Sequence, residues 1–258
     1  MDTNIIAFGL TQAANHRTPP LIGQTFIKRL DTFSKPIWLE CSDNNVYVVK
    51  GQQAGRAIFN DQMVATLGRK MGAPVGLPAL VIIPDELQRI EPRLQDITPG
   101  IAHGTLFIND TTDRQWISHV DKDYNRTRFA LLAILYGWLG AGDHQLVYSN
   151  HEPNLVYSVD HGHFFPGGPN WTNESLVMSP GVQPYSELYN GCGLNELDIN
   201  VALVALRNIT DNDIIDAVGI PPDEWGVSMA ERIEMTKFII KRRDNMLATF
   251  AGVIGDQP

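Results

Sequence analysis

β-Branched, aromatic and other apolar residues crowd into two short runs, Ile37–Cys41 and Val46–Lys50, on either side of Ser42-Asp43-Asn44-Asn45. Two such runs across four turn-forming residues predict a β-hairpin. Residues 25–30 (TFIKRL) predict a strand ahead of it. The period then changes. Ile58, Phe59, Met63, Val64, Leu67 and Met71 recur at helical spacing, which predicts a helix over residues 57–71, with Asp61 near its start on the polar side. Gly72 and Pro74 stop it. Residues 77–83 (LPALVII) form an apolar run of strand length closed by Pro84, and residues 101–108 predict a further strand. Between them, residues 84–100 carry three prolines and mixed charge and read as an irregular crossing. Gly104 would admit a flat ligand close to its strand, and His103 beside it reads as structural.

Beyond residue 123 helical patterns dominate. Residues 125–139 are apolar on nearly all sides, as in a buried helix. Gly140 and Gly142 end it and leave Asp143 in a tight, backbone-exposed position. After an excursion of the chain, residues 155–159 predict a strand that delivers Asp160-His161-Gly162. Residues 164–171, from Phe164 to Trp171, read as a tightly turning loop anchored by aromatics. Asn195 caps a helix to residue 207, Thr210 caps a second to 218, and a long helix runs over 228–250. The expected architecture is α+β in two lobes. A β-rich N-terminal lobe spans 1–108 and a mainly helical C-terminal lobe spans 109–258.

The 258 residues suffice for such a core, and 43% hydrophobic with 19% charged content is ordinary for a globular chain. No apolar run approaches 18 residues, so no membrane span is expected. Met1-Asp2-Thr3-Asn4 lacks a secretory signal pattern. Cys41 and Cys192 have no metal-ligand spacing, and reduced thiols in the cytoplasm are the expectation. The net charge of −9 argues against direct binding to nucleic acid or anionic membrane. Lys241-Arg242-Arg243, with Lys237 one turn earlier, reads as a solvated helix face.

Asp143 and Asp160 therefore end two adjacent apolar segments with small residues beside each. Phosphoryl transfer needs one acid near the attacking hydroxyl and another on a metal ion. Lys50 closes a strand just before the helix that carries Asp61. The turn over residues 31–36, with Ser34 and Lys35, could cover a phosphate, although it lacks a glycine-rich fingerprint. Asp143, His144, Asp160, His161 and His163 are also donor types of a metal hydrolase, a different class of function. Histidines that merely orient the aspartates are the plainer explanation of that cluster.

The order of these features resembles a protein-kinase-like fold, in its HipA-like and phosphoinositide-kinase-like branch. Three passages carry the resemblance over residues 20–250. Tyr47-Val48-Val49-Lys50 is followed by Asn60-Asp61 and by Leu67-Gly68 through Pro74-Val75. Gly142-Asp143-His144 and Val159-Asp160-His161-Gly162-His163-Phe164 are similar to catalytic-loop and metal-loop motifs. Ile220-Pro221-Pro222-Asp223-Glu224-Trp225-Gly226 with Lys241-Arg242-Arg243-Asp244 is similar to the C-terminal signature of small bacterial HipA-like kinase domains.

The resemblance implies a bacterial kinase using ATP and Mg²⁺, with a protein Ser/Thr or small-molecule hydroxyl as acceptor. It implies that Lys50 binds the α/β-phosphates, held by Asp61, where relatives have the longer Glu. It implies that Asp143, followed by His144, orients the acceptor, and that Asp160 holds Mg²⁺. Relatives carry a second metal ligand, Asn, five residues after the catalytic Asp; here position 148 is Tyr. Gln145 is the candidate substitute. Without one, a nucleotide-binding pseudokinase with a regulatory or binding role is the alternative.

Overall fold

The structure, a computed structural model, describes residues 1–32, 34–114 and 116–252. Phe33, inside the turn expected to cover a phosphate, lies outside them. Five strands, β1 (Leu21–Arg29), β2 (Ile37–Cys41), β3 (Val46–Lys50), β4 (Pro78–Ile83) and β5 (Gly100–Leu106), close into a barrel in the order β1-β2-β3-β5-β4. Closure comes from a short parallel pairing of Leu21 and Ile22 with Val81 and Ile82. The barrel interior is its own apolar cluster, with Ile37, Leu39, Val49, Val81 and Leu94 fully buried. Gly104 belongs to that packing, because a Cβ there would come within 2.7 Å of the Val81 side chain. Its bareness serves the sheet, not the ligand proposed from sequence.

Helix α1 (Thr3–Asn15) precedes the barrel and lies against two helices near the other end of the chain, α8 (Asp211–Gly219) and α9 (Met229–Thr249). Gly9 and Gly219 permit the close approach, since their Cβ atoms would meet Ile215 and Ala13 at 2.8 and 2.6 Å. Helix α2 (Ala57–Lys70) lies between barrel and helical body, and is buried on almost every side. Asp61, expected on a polar face, is therefore enclosed. The crossing over 84–100 contains a short helix, α3 (Asp85–Ile90).

A second sheet of three antiparallel strands, β6 (Thr111–Arg114), β7 (Gln145–Ser149) and β8 (Val156–Val159), flanks the cleft between the lobes. The excursion after Asp143 is thus a hairpin, with β7 starting directly at Gln145. Helix α4 (Asn125–Leu139) runs through the main core, where Phe129, Leu132, Leu135 and Trp138 are fully buried. Helices α6 (Ser186–Gly191), α7 (Glu196–Arg207) and α9 pack against it, and α5 (Asn173–Val177) and α8 pack in turn on α9. Asn195, Thr210 and Ser228 cap α7, α8 and α9 in reciprocal capping boxes.

The turn between α8 and α9 fastens the lobes together. Trp225 donates its indole N–H to the carbonyl of Ile101 at 2.8 Å, and Glu224 accepts from the Ile101 amide at 3.0 Å. Arg232 ties the turn down from beneath by donating to the carbonyls of Val218, Pro221, Pro222 and Val227. The basic run on α9 is only in part the solvated face expected, since Lys241 alone of its three residues is exposed. Arg242 and Arg243 are buried. Arg243 reaches the Ile209 carbonyl and Asp211, whereas Arg242 takes the free carbonyls of Gly137 and Trp138 at the end of α4.

Candidate functional site

Strand β3 ends on Lys50, and α2 begins seven residues later. That geometry turns Asp61 back under the strand end. Lys50 Nζ lies 2.8 Å from Asp61 Oδ2 and 2.5 Å from Asp160 Oδ1. Burial alone would lower the Lys50 pKa, but the two carboxylates outweigh it and hold the ammonium above its ordinary value. Burial would raise the Asp61 pKa, yet Lys50 and the surrounding donors bring it down to about 2. The other oxygen of Asp61 accepts the backbone N–H of His161, the residue after Asp160. The shorter acid thus makes its ion pair directly and also grips the loop that carries Asp160.

That loop is held from α2 at a second point. Asn60 is fully buried, and its amide nitrogen donates to the carbonyls of Gly162, Phe164 and Gly168 at 2.9, 3.3 and 3.2 Å. Its oxygen accepts the Trp171 indole N–H at 3.1 Å. Trp171 is buried, and Arg56 stacks over its ring at 4.0 Å, so the loop after Phe164 has the anchored character expected. Asn60→Leu would leave three carbonyls and one indole N–H without this partner. Each orphaned buried group costs about 1–3 kcal/mol before relaxation. The expected loss is roughly 3–4 kcal/mol of stability in urea unfolding, and a loss below about 1 kcal/mol would show that the clamp is dispensable.

His161 is part of this scaffold. It is buried, its Nε2 lies 2.7 Å from the Ser158 hydroxyl, and that hydroxyl meets the Tyr136 phenol at 2.6 Å. His144 turns away towards Glu187, with Nδ1 3.4 Å from its carboxylate, and stacks edgewise on Tyr185. The five residues of the metal-hydrolase reading are therefore not gathered around one point. Among the described residues no group of three His, Cys, Asp or Glu is arranged to hold a metal ion.

Asp143 sits in the turn between α4 and β7. Gly140 closes α4 in the left-handed conformation, and Gly142 donates its N–H to the His163 carbonyl at 3.1 Å. A Cβ on Gly142 would fall 2.6 Å from that oxygen, so the absent side chain lets the two loops touch. Burial raises the Asp143 pKa, and Asp160 and Asp61 push the same way against the pull of His163.

Between the lobes lies a cleft of about 420 Å³. Lys50, Asp61, Asp160 and Gln145 line one end, and Val48, Leu106, Phe107, Ile108, Val147 and Val159 supply apolar walls. Gln145 pairs with Val159 across β7 and β8, one residue before Asp160. Its amide nitrogen donates to Asp113 at 2.8 Å, which leaves the amide oxygen as a hard donor. A carboxylate and an amide oxygen lining one cleft fit Mg²⁺, which needs few protein ligands when phosphate oxygens and water complete its shell.

From the turn over 31–36, Thr32 and Pro36 line the cleft. Lys35 is bound to Asp96 at 2.5 Å and Ser34 gives its carbonyl to Gln53, so neither is among the lining residues. Tyr148 is a buried residue of β7, not part of the turn that carries Asp143. Asp113 was missed from sequence, because β6 is four polar residues with no apolar alternation to mark it.

His103 lies behind the site, buried between Gln62 at 2.8 Å and Thr105 at 3.1 Å. Burial lowers its pKa to about 4 from 6.5. The unfolded chain therefore binds a proton here that the folded chain refuses. Stability from this group is complete above pH 6.5 and is lost as pH falls towards 4. Between pH 7.5 and 4.5 it amounts to roughly 2–3 kcal/mol. His103→Gln should remove that share of the slope in denaturation measured at both pH values; equal slopes would refute it.

The chain matches the family model for the HipA-like kinase over residues 24–165. No curated protein sequence matches it significantly. Among solved structures it is similar to the Helicobacter pylori proinflammatory kinase CtkA, at 12% identity and a TM-score of 0.60, covering 93% of this chain and all of that one. It is also similar to the Golgi casein kinase, at 11% identity and a TM-score of 0.52, covering 97% of this chain and 77% of that one. The same Golgi casein kinase with Mn/ADP bound gives 12% identity and a TM-score of 0.53, over 98% of this chain and 78% of that one. The fold is thus the two-lobed, α+β fold of protein kinases.

Proposed function

This chain belongs to the HipA-like kinase family, and we propose that it transfers the γ-phosphate of ATP, with Mg²⁺, to a hydroxyl, most simply that of a protein Ser or Thr. The observation that carries this reading is the convergence of Lys50, Asp61 and Asp160 through direct ion pairs in an apolar-walled cleft. The Golgi casein kinase with Mn/ADP bound supports a nucleotide and a divalent cation in this cleft.

We assign the adenine to the apolar walls and the phosphates to Lys50. On the proposed division at residues 108 and 109, the N-terminal lobe supplies Lys50 and Asp61. The C-terminal lobe supplies Asp143, Asp160 and Gln145. Asp160 and Gln145 would hold the Mg²⁺, which when bound offsets the charge of the phosphate oxygens. Asp143 orients the acceptor hydroxyl and takes its proton as the new O–P bond forms. The bond from the γ-phosphorus to the β-phosphate oxygen breaks, and ADP leaves. His144, held by Glu187, fixes the turn that presents Asp143.

The turn between α4 and β7 is too short to contain a later Asn, which keeps the pseudokinase reading distinct. Calorimetry with ATP, with and without Mg²⁺, together with γ-phosphate labelling, separates the two. Metal-dependent binding with transfer is expected; tight binding indifferent to metal and without turnover would sink the phosphotransferase reading.

A further inference from the structure

We propose that the acceptor is an acidic polypeptide segment, seated in a groove that runs from Asp143 between α5 and α9. This rests on the phosphotransferase reading and adds the chemistry of its substrate. Asp143 opens on a depression of about 480 Å³ floored by Gly167, Gly168 and Arg242. A second depression of about 280 Å³ shares Ser179, Pro180 and Arg242 with the first and continues along α9. Arg242 fixes the shared wall in place. Its guanidinium donates to the Ser179 hydroxyl at 2.7 Å and the Pro180 carbonyl at 3.0 Å, while its other nitrogens hold the end of α4. The groove is therefore built before any substrate arrives.

Its charge differs from that of the rest of the molecule. Lys237, Lys241 and Arg242 line the depression along α9 against one carboxylate, Glu234, in a chain of net charge −9. Lys241 is exposed and has no ion pair among the described residues. Lys237 has, among the described residues, one ion pair, with Glu234 one turn away, and half-exposed pairs of that kind hold a side chain weakly. Between these cations Phe238 forms an apolar floor, and Val177 stands 83% exposed on the rim. Cations interleaved with apolar surface suit a peptide carrying acidic and apolar side chains. A small hydroxyl compound at Asp143 would leave this extension unused, and three cations beside a carboxylate make a poor track for a nucleic-acid backbone.

The test compares pairs of Ser/Thr peptides that differ only in whether the residues flanking the acceptor are Glu or Gln, with labelled ATP and Mg²⁺. Wild-type protein should favour the Glu peptides by about tenfold in kcat/KM. Lys237→Glu/Lys241→Glu should bring that ratio to about one, and Lys241→Gln alone to an intermediate value. Melting temperatures check that these surface changes leave the fold in place. A ratio near one in the wild type, an unchanged ratio in the double variant, or labelling of an RNA oligonucleotide in place of peptides would each overturn the proposal while leaving a phosphotransferase. Absence of transfer to any acceptor would overturn both.

Discussion

Asp160→Asn is expected to lower phosphate transfer by about a thousandfold or more while the protein stays folded. The residue stands at the end of β8 with φ at +59°, in the left-handed region, and its carboxylate is partly exposed to the cleft. Asn is among the few side chains that tolerate that backbone, and it has nearly the same volume, so the substitution removes charge with little strain. Lys50 keeps Asp61 as a partner at 2.8 Å and stays charged. What is lost is the anionic oxygen proposed to hold the metal ion, and Gln145 has no charge with which to replace it. Thermal melting should move by only a few degrees, whereas γ-phosphate labelling should fall to background. Transfer at a tenth of the wild-type rate would remove Asp160 from the proposed role.

The site divides cleanly into what local pattern can announce and what only packing can create. Lys50 and Asp160 were legible because each ends an apolar run, and strand ends are where a sheet presents polar groups to a cleft. The hairpin Ile37–Cys41 to Val46–Lys50 and the helix Asn125–Leu139 have the boundaries their patterns predict. Burial of Asp61 was not legible, because the helical period assigns it to a polar face and nothing local reveals that barrel and helical body close over α2 from both sides. Asn60 was visible only as the start of a motif. Its work as a clamp depends on carbonyls more than 100 residues away. The packing of α1 against α8 and the burial of Arg242 and Arg243 depend likewise on distant partners.

The excursion after Asp143 shows a second kind of limit. Gln145-Leu146-Val147-Tyr148-Ser149 has the alternation of a strand, with Leu146 and Tyr148 buried, but it follows the stop signals of α4 without a break. That abruptness leaves only residues 140–144 for the turn that carries Asp143. It moves Tyr148 into the core of the small sheet and brings Gln145 next to Asp160 by register. Gln145, not Tyr148, is thus the residue of this strand that stands beside Asp160 in the cleft.

Asp143→Asn carries the second large expected effect, a fall in kcat of about 10²–10⁴ with little change in the KM for ATP. Asp143 is not among the residues that line the proposed nucleotide cleft: the turn that carries it lines a separate depression together with His163 and Arg242. Removing its charge therefore leaves the residues proposed to hold ATP and metal in place, and the loss should fall on orientation and deprotonation of the acceptor. The turn itself should survive, since its geometry is set by Gly140, by the Gly142 N–H on the His163 carbonyl and by His144 on Glu187. Asp143→Glu is the informative companion. It restores the carboxylate one methylene out of place, and misplacement of that order costs about a hundredfold where a reacting group must be aligned. The glutamate variant should therefore recover part of the lost kcat and no more. If both variants raised the KM for ATP and left kcat alone, Asp143 would belong to nucleotide binding, and the division of labour between the two aspartates would have to be reversed.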